Sequence, residues 1–198
     1  MREKWIVEAK KGDFNGLSAK LKVSPLAVRC LMNRGVESEQ EMRSFLYGTL
    51  DDLHDPFTMK GMNEAVQEIV QAREQGRKVA IASDFDCDGI FSAYILWKGF
   101  QRIGLDSEIF TPDRVKEGYG LNRRIVDEAL AGGRDFLVTC DNGIAANEEV
   151  DYAKKLGMTV IVTDHHEVQE QMPAADVVLD PKRDDETYPF HGLCGAGV

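Results

Sequence analysis

Three short apolar runs, each ending in a cluster of acidic or imidazole side chains, constrain this chain more than any other feature. Val79 to Ser83 runs into Asp84-Phe85-Asp86-Cys87-Asp88-Gly89, Asp135 to Cys140 into Asp141-Asn142-Gly143, and Met158 to Thr163 into Asp164-His165-His166. Apolar runs of this length, without polar alternation, suit strands buried on both faces. Between and around them the spacing becomes helical. Helices are expected over Met62 to Gln75, ended by Gly76, over Ile90 to Ile103, through Ile125 to Leu130, and over Ala146 to Leu156. Further strands are expected over Ser107 to Thr111 and Val177 to Leu179. Strands that alternate with helices at this spacing predict an α/β fold, an open parallel sheet with helices on both faces.

Before residue 60 the pattern differs. Leu17, Leu21, Val23, Leu26, Val28 and Leu31 recur at helical spacing around Ser24-Pro25, a good cap and first-turn pair, and Ser38-Glu39-Gln40-Glu41 reads as a capping box. A small helical packing region accounts for these residues better than a DNA-reading helix–turn–helix, because only Arg29, Asn33 and Arg34 could reach bases. Asp51 to Phe57 breaks the periodicity. The expected division is a helical N-terminal region with linker over residues 1–57 and a sheet domain over 58–198.

The longest strongly apolar stretch, Ile90 to Trp97, is too short to span a bilayer and is broken by Ser92. The N-terminus shows no apolar signal core, so a cytoplasmic location is expected and no membrane partner. Cys30, Cys87, Cys140 and Cys194 stand singly, as expected of reduced, mostly buried thiols. A formal charge of −10 argues against nucleic-acid binding through bulk charge, yet carboxylates that converge on divalent cations would be compatible with phosphate chemistry.

Ligands of open parallel sheets bind outside the carboxyl ends of the strands, where all three polar clusters fall. Carboxylates gathered there would repel one another and lose solvation, which points to a metal centre. An EF-hand loop is excluded, since its twelfth position is Ile95 and no helix precedes it. Asp141-Asn142-Gly143 alone would read as a turn with Asn-Gly at positive φ. Asp164-His165-His166 is less easily explained as structure. Neighbouring side chains on a strand point opposite ways, so one histidine can ligate a metal while the other faces substrate. Oxygen-rich donors with one imidazole favour Mn2+ or Mg2+ over structural zinc, and two such ions could activate water and steady a leaving oxygen in phosphoester hydrolysis.

These three clusters resemble the motifs of the DHH phosphoesterases, and within them the branch of single-stranded-DNA-specific 5′-to-3′ exonucleases of repair and recombination. Asn33-Arg34-Gly35-Val36, Asp55 to Met59, Arg114 to Leu121, Tyr188-Pro189-Phe190 and Leu193 to Val198 carry the same resemblance. It implies that Asp84 ligates one metal, Asp86 a second, that Asp141 bridges them and that His165 completes part of the second site. His166 would face the substrate phosphate, and Arg114 is a candidate for holding a 5′-phosphate. Asp164 and Asn142 would hold their neighbours in place, and Asp88 is expected to cap the following helix. Ser83 and Asp180 depart from the family pattern of Gly and Asn without touching an expected ligand. The resemblance also implies a fourth motif, which supplies another aspartate to the second metal, and two accessory domains; none is found within these residues, so the expectation is a fragment. Its second metal site would be incomplete, its activity reduced or lost, and its hold on single-stranded DNA weak. Alternatives are an oligonucleotide or cyclic-dinucleotide phosphodiesterase and a non-catalytic scaffold module. Other repair proteins as partners stay open.

Overall fold

The computed structural model describes residues 5–6 and 10–198; residues 1–4 and 7–9, in the stretch read for a targeting signal, lie outside the described residues. The chain divides into two compact units, residues 1–53 and His54–Val198.

The first unit holds three helices, α1 (Phe14–Leu21), α2 (Pro25–Asn33) and α3 (Glu39–Tyr47). Each begins at a side chain that accepts a free backbone N–H: Asp13, Ser24 and Ser38, the last in a reciprocal capping box with Glu41. Their inner faces bury Leu21, Val28, Leu31, Met32 and Met42 together. Residues 50–58, which break the helical spacing, wind into short 3-10 turns at Leu50–Asp52 and Pro56–Thr58 capped by Thr49 and Asp55.

The second unit is a doubly wound sheet. In chain order it comprises α4 (Met62–Glu74), β1 (Val79–Ser83), α5 (Cys87–Arg102), β2 (Ser107–Phe110), α6 (Arg123–Ala131), β3 (Phe136–Cys140), α7 (Asn147–Lys155), β4 (Thr159–Thr163) and β5 (Val177–Leu179). The five strands lie in the order β2-β1-β3-β4-β5 and every pairing is parallel. Alternate strand residues face opposite layers. Val79, Ile81, Phe136, Val138 and Ile161 pack against Ala65, Ala72, Ala93 and Phe100 of α4 and α5. Ala80, Ala82, Leu137, Val160 and Val162 pack against Ile125, Val126, Val150 and Ala153 of α6 and α7. The helices change face where the chain, after placing β2 on one side of β1, places β3 on the other, as right-handed crossovers require.

Two details differ from expectation. Helix α5 starts at Cys87 rather than Ile90, because Asp86 caps it. All four cysteines are free, but only Cys140 is buried; Cys30, Cys87 and Cys194 sit on exposed positions of α2, α5 and a C-terminal turn. Among the described residues no helix is long and apolar enough to cross a membrane.

The edge of the sheet at the strand N-termini is tied by Arg77. Its guanidinium donates to the Asp135 carboxylate at 3.1 Å, the Asp135 carbonyl at 3.0 Å and Thr159 Oγ1 at 3.0 Å, and lies 5.1 Å from the centre of the Phe136 ring. Phe136 is fully buried in the middle strand. Phe136→Ala should lower unfolding free energy by about 3–5 kcal/mol, read as an earlier urea midpoint; a loss under ~1 kcal/mol would contradict this packing.

Candidate metal centre

In β1 and β3, Ser83 pairs with Cys140, so the next residues, Asp84 and Asp141, leave adjacent strands side by side. This is the point at which the strand order reverses, where such sheets bind ligands. Asn142 locks it: its side-chain N–H groups donate to Ala82 O at 3.0 Å and Cys140 O at 2.9 Å, while its Oδ1 accepts the Leu121 N–H at 3.1 Å. The turn does not use Asn-Gly as expected. Asp141 itself takes φ +60 and Gly143 φ +117.

Asp84, Asp86 and Asp141 bring one oxygen each within 4.8 Å of one another, and Asp141, His165 and His166 form a second group of the same reach. The carboxylate common to both is Asp141, only 2% exposed. His165 Nε2 lies 3.0 Å from Asp141 Oδ1 and 3.5 Å from Asp88 Oδ2. The donor set, oxygen-rich with imidazole at one end, fits hard divalent cations.

Asp88 therefore does not cap α5. Asp86 does, accepting the Gly89 N–H at 3.0 Å. Three carboxylates at two-residue spacing surround the start of the helix, and Asp86, extended and directly before Cys87, is the one in the cap position; Gly89 packs so tightly on the Asp84 backbone that a Cβ there would lie 2.5 Å from Asp84 O. Asp88, in the first turn, faces His165 and accepts two backbone amides from the turn at Gly195–Gly197.

Asp164 is a buried hub. Its Oδ2 accepts the Ile144 N–H at 2.9 Å, and its Oδ1 accepts the His165 N–H at 2.7 Å and faces His166 Nδ1 at 2.7 Å. A proton on Nδ1 leaves Nε2 of His166 open. Burial pulls the His166 imidazole down, but the Asp164 hydrogen bond and the charges of Asp164 and Asp141 outweigh it and the net is upward.

Burial, then the charges of Asp88 and Asp86, pushes Asp141 up to about 7. Asp84 is also raised, first by burial. The fully buried Asp180, at the end of β5, is raised to about 6, mainly by burial, with Oδ2 unpartnered. Burial likewise pushes the Cys140 thiol up, keeping it protonated.

A cleft of ≈ 620 Å³ opens beside the carboxylates, lined among others by Asp84, Asp141, Asn142, His166 and Tyr119. Arg114 is not among its lining residues; its guanidinium lies 5.3 Å from the centre of the Phe85 ring, which in turn packs on Tyr119 with centroids 4.8 Å apart. Sequence patterning did not reveal this aromatic pair, nor the brace behind it, where Arg124 pairs with Glu117 and donates to Thr111 O at 3.1 Å. Phe85 lies inside the acidic motif, which is the signal that could have identified it.

Donor groups and cleft lie at the switch point of a doubly wound sheet, and the sequence model described as "DHH family, N-terminal domain" matches residues 78–198. The chain belongs to the DHH family. Within it the similarity is to the single-stranded-DNA-specific exonuclease RecJ: 37% identity over 196 residues with that of Bacillus subtilis (strain 168), covering 98% of this chain and 25% of the relative. With RecJ of Escherichia coli (strain K12) identity is 35% over 176 residues, covering 88% of this chain and 30% of the relative. The crystal structure of exonuclease RecJ bound to manganese superposes with TM-score 0.64 at 34% identity, covering 71% of this chain and 35% of that one. RecJ in complex with Mn2+ from Thermus thermophilus gives TM-score 0.67 at 28% identity, covering 93% and 25%. The chain thus spans about 25–30% of the length of these curated relatives.

Asp141 and Asp180 hold protons more tightly folded than unfolded, where each would titrate near 3.8, and His166 shifts in the same direction. The stabilisation from the two carboxylates is complete below pH ~4 and lost as pH rises through about 6 and 7, and that from His166 is complete below its ordinary 6.5 and lost above it. Metal-free protein should melt at falling temperature from pH 5 to pH 8, and Mn2+ should recover more at pH 8 than at pH 5. A melting temperature that rises over this range without metal would contradict the buried-carboxylate geometry.

Proposed function

We propose that the chain is the metal-holding part of an exonuclease that hydrolyses single-stranded DNA from a 5′ end, in the cytoplasm, in DNA repair and recombination. The shared carboxylate carries the reading: Asp141 belongs to both donor groups and opens onto the cleft. Asp84 and Asp141 would hold one Mn2+ or Mg2+, and Asp86, Asp141 and His165 part of a second. When bound, such ions supply an acidified water and offset negative charge on phosphoryl oxygens.

The chain's own side chains do the rest. Asp164 holds His166 through Nδ1, which leaves Nε2 on the far side of the ring to meet a phosphate oxygen. Phe85 and Tyr119 present ring faces for a base, a sequence-tolerant way to hold a single strand. Arg114, exposed beside Phe85, would take the terminal phosphate with two parallel N–H donors. With a net charge of −10, this chain alone would bind DNA weakly at physiological salt.

In the full-length protein, Asp141→Ala should lower exonuclease turnover on the order of a hundredfold or more while the metal-free melting curve stays at or above that of wild type. Wild-type protein should degrade a long single strand in preference to a dinucleotide. Full activity in Asp141→Ala would sink the metal reading; preference for the dinucleotide would replace the exonuclease with a small-substrate phosphodiesterase.

A further inference from the structure

The turn at Gly195–Gly197 lies far along the chain from the acidic motif, yet it closes against it. Both oxygens of Asp88 are taken by consecutive backbone amides of this turn: Gly195 N–H donates to Oδ2 and Ala196 N–H to Oδ1, each at 2.8 Å. The turn is braced internally by the Gly197 N–H to Cys194 O at 2.9 Å. On its other side Gly195 rests on Asp141. A Cβ there would fall 2.6 Å from Asp141 Oδ1 and 2.7 Å from Asp141 Cβ, distances real side chains do not adopt.

Asp141 needs such a wall. Its backbone sits at φ +60, and its carboxylate meets His165 Nε2 at 3.0 Å with no backbone amide donating to it among the described residues. We propose that the Gly195–Gly197 turn is a positioning element for the metal centre. Its two amides fix the Asp88 carboxylate, and the bare Cα of Gly195 sets where the Asp141 carboxylate can lie. Gly195 is the positioning residue, acting through Asp141, and the inference rests on the reading of Asp141 as a metal ligand. Carboxylates that ligate metals depend on such outer partners for orientation.

The same substitution two residues apart separates this role from general packing. A Cβ on Gly195 meets the Asp141 carboxylate, whereas the closest atom to a Cβ on Gly197 is the flexible end of Leu193 at 3.3 Å. Manganese titration by calorimetry on wild type, Gly195→Ala and Gly197→Ala, with amide hydrogen exchange on metal-free wild type and Asp88→Ala, tests it. Gly195→Ala should bind manganese at least about tenfold more weakly, Gly197→Ala should match wild type, and Asp88→Ala should speed exchange at the Gly195 and Ala196 amides. Exchange unchanged by Asp88→Ala would overturn the clamp directly, without reference to metal. Equal manganese affinity in wild type and Gly195→Ala would overturn the positioning role alone. A wild-type chain that binds no manganese, with the exchange effect present, would overturn the metal reading and with it the role given to the turn.

Discussion

The side-chain amide of Asn142 joins the two strands on which the site depends. By donating to Ala82 O in β1 and Cys140 O in β3, and accepting from Leu121, it fastens the ends of the central strands to each other and to the segment that carries Tyr119. All three bonds are buried, so removing the amide would leave two carbonyls and one N–H without these partners. Asp84 and Asp141 follow those strand ends directly, and their separation is a consequence of the register Ser83 to Cys140.

That arrangement gathers charge against its own repulsion. Asp84, Asp86, Asp88 and Asp141 converge at one edge, with Asp164 and Asp180 buried beside them. Backbone amides offset part of the cost at Asp88, Asp86 and Asp164, but Asp141 has no such donor among the described residues and is pushed up to about 7. A divalent cation would supply the counter-charge that offsets burial of a carboxylate in this position. The site is therefore costly for folding and suited to binding, and stabilising contacts lie elsewhere: Arg77 ties the opposite edge of the sheet, away from the crowded carboxylates.

The sheet was largely legible from sequence because its strands are buried on both faces and so lack polar interruption; Val79–Ser83 and Val177–Leu179 have the bounds that their apolar runs suggest. The gathering of acidic and imidazole side chains at this edge was legible because they end those runs. The roles within Asp84 to Gly89 were not. The expected cap was Asp88, but the helix begins at Cys87, so Asp86 stands one residue before it with an extended backbone and accepts the Gly89 N–H. Partners far apart in the chain, such as Asp88 with Gly195, Arg77 with Asp135 and Asn142 with Leu121, have no local pattern that would announce them.

The reversal of strand order at β1 and β3 has a consequence for how the chain reaches this state. The acidic motif after β1 is complete early in the chain, but its neighbour in the sheet is β3, not the intervening β2 that flanks the other side. Closing that pairing requires the whole β2 and α6 excursion to be looped out first, an entropic cost met before any contact rewards it. Half a set of donors has little hold on a divalent ion. Asp84 and Asp141 therefore come side by side only when that long-range pairing closes.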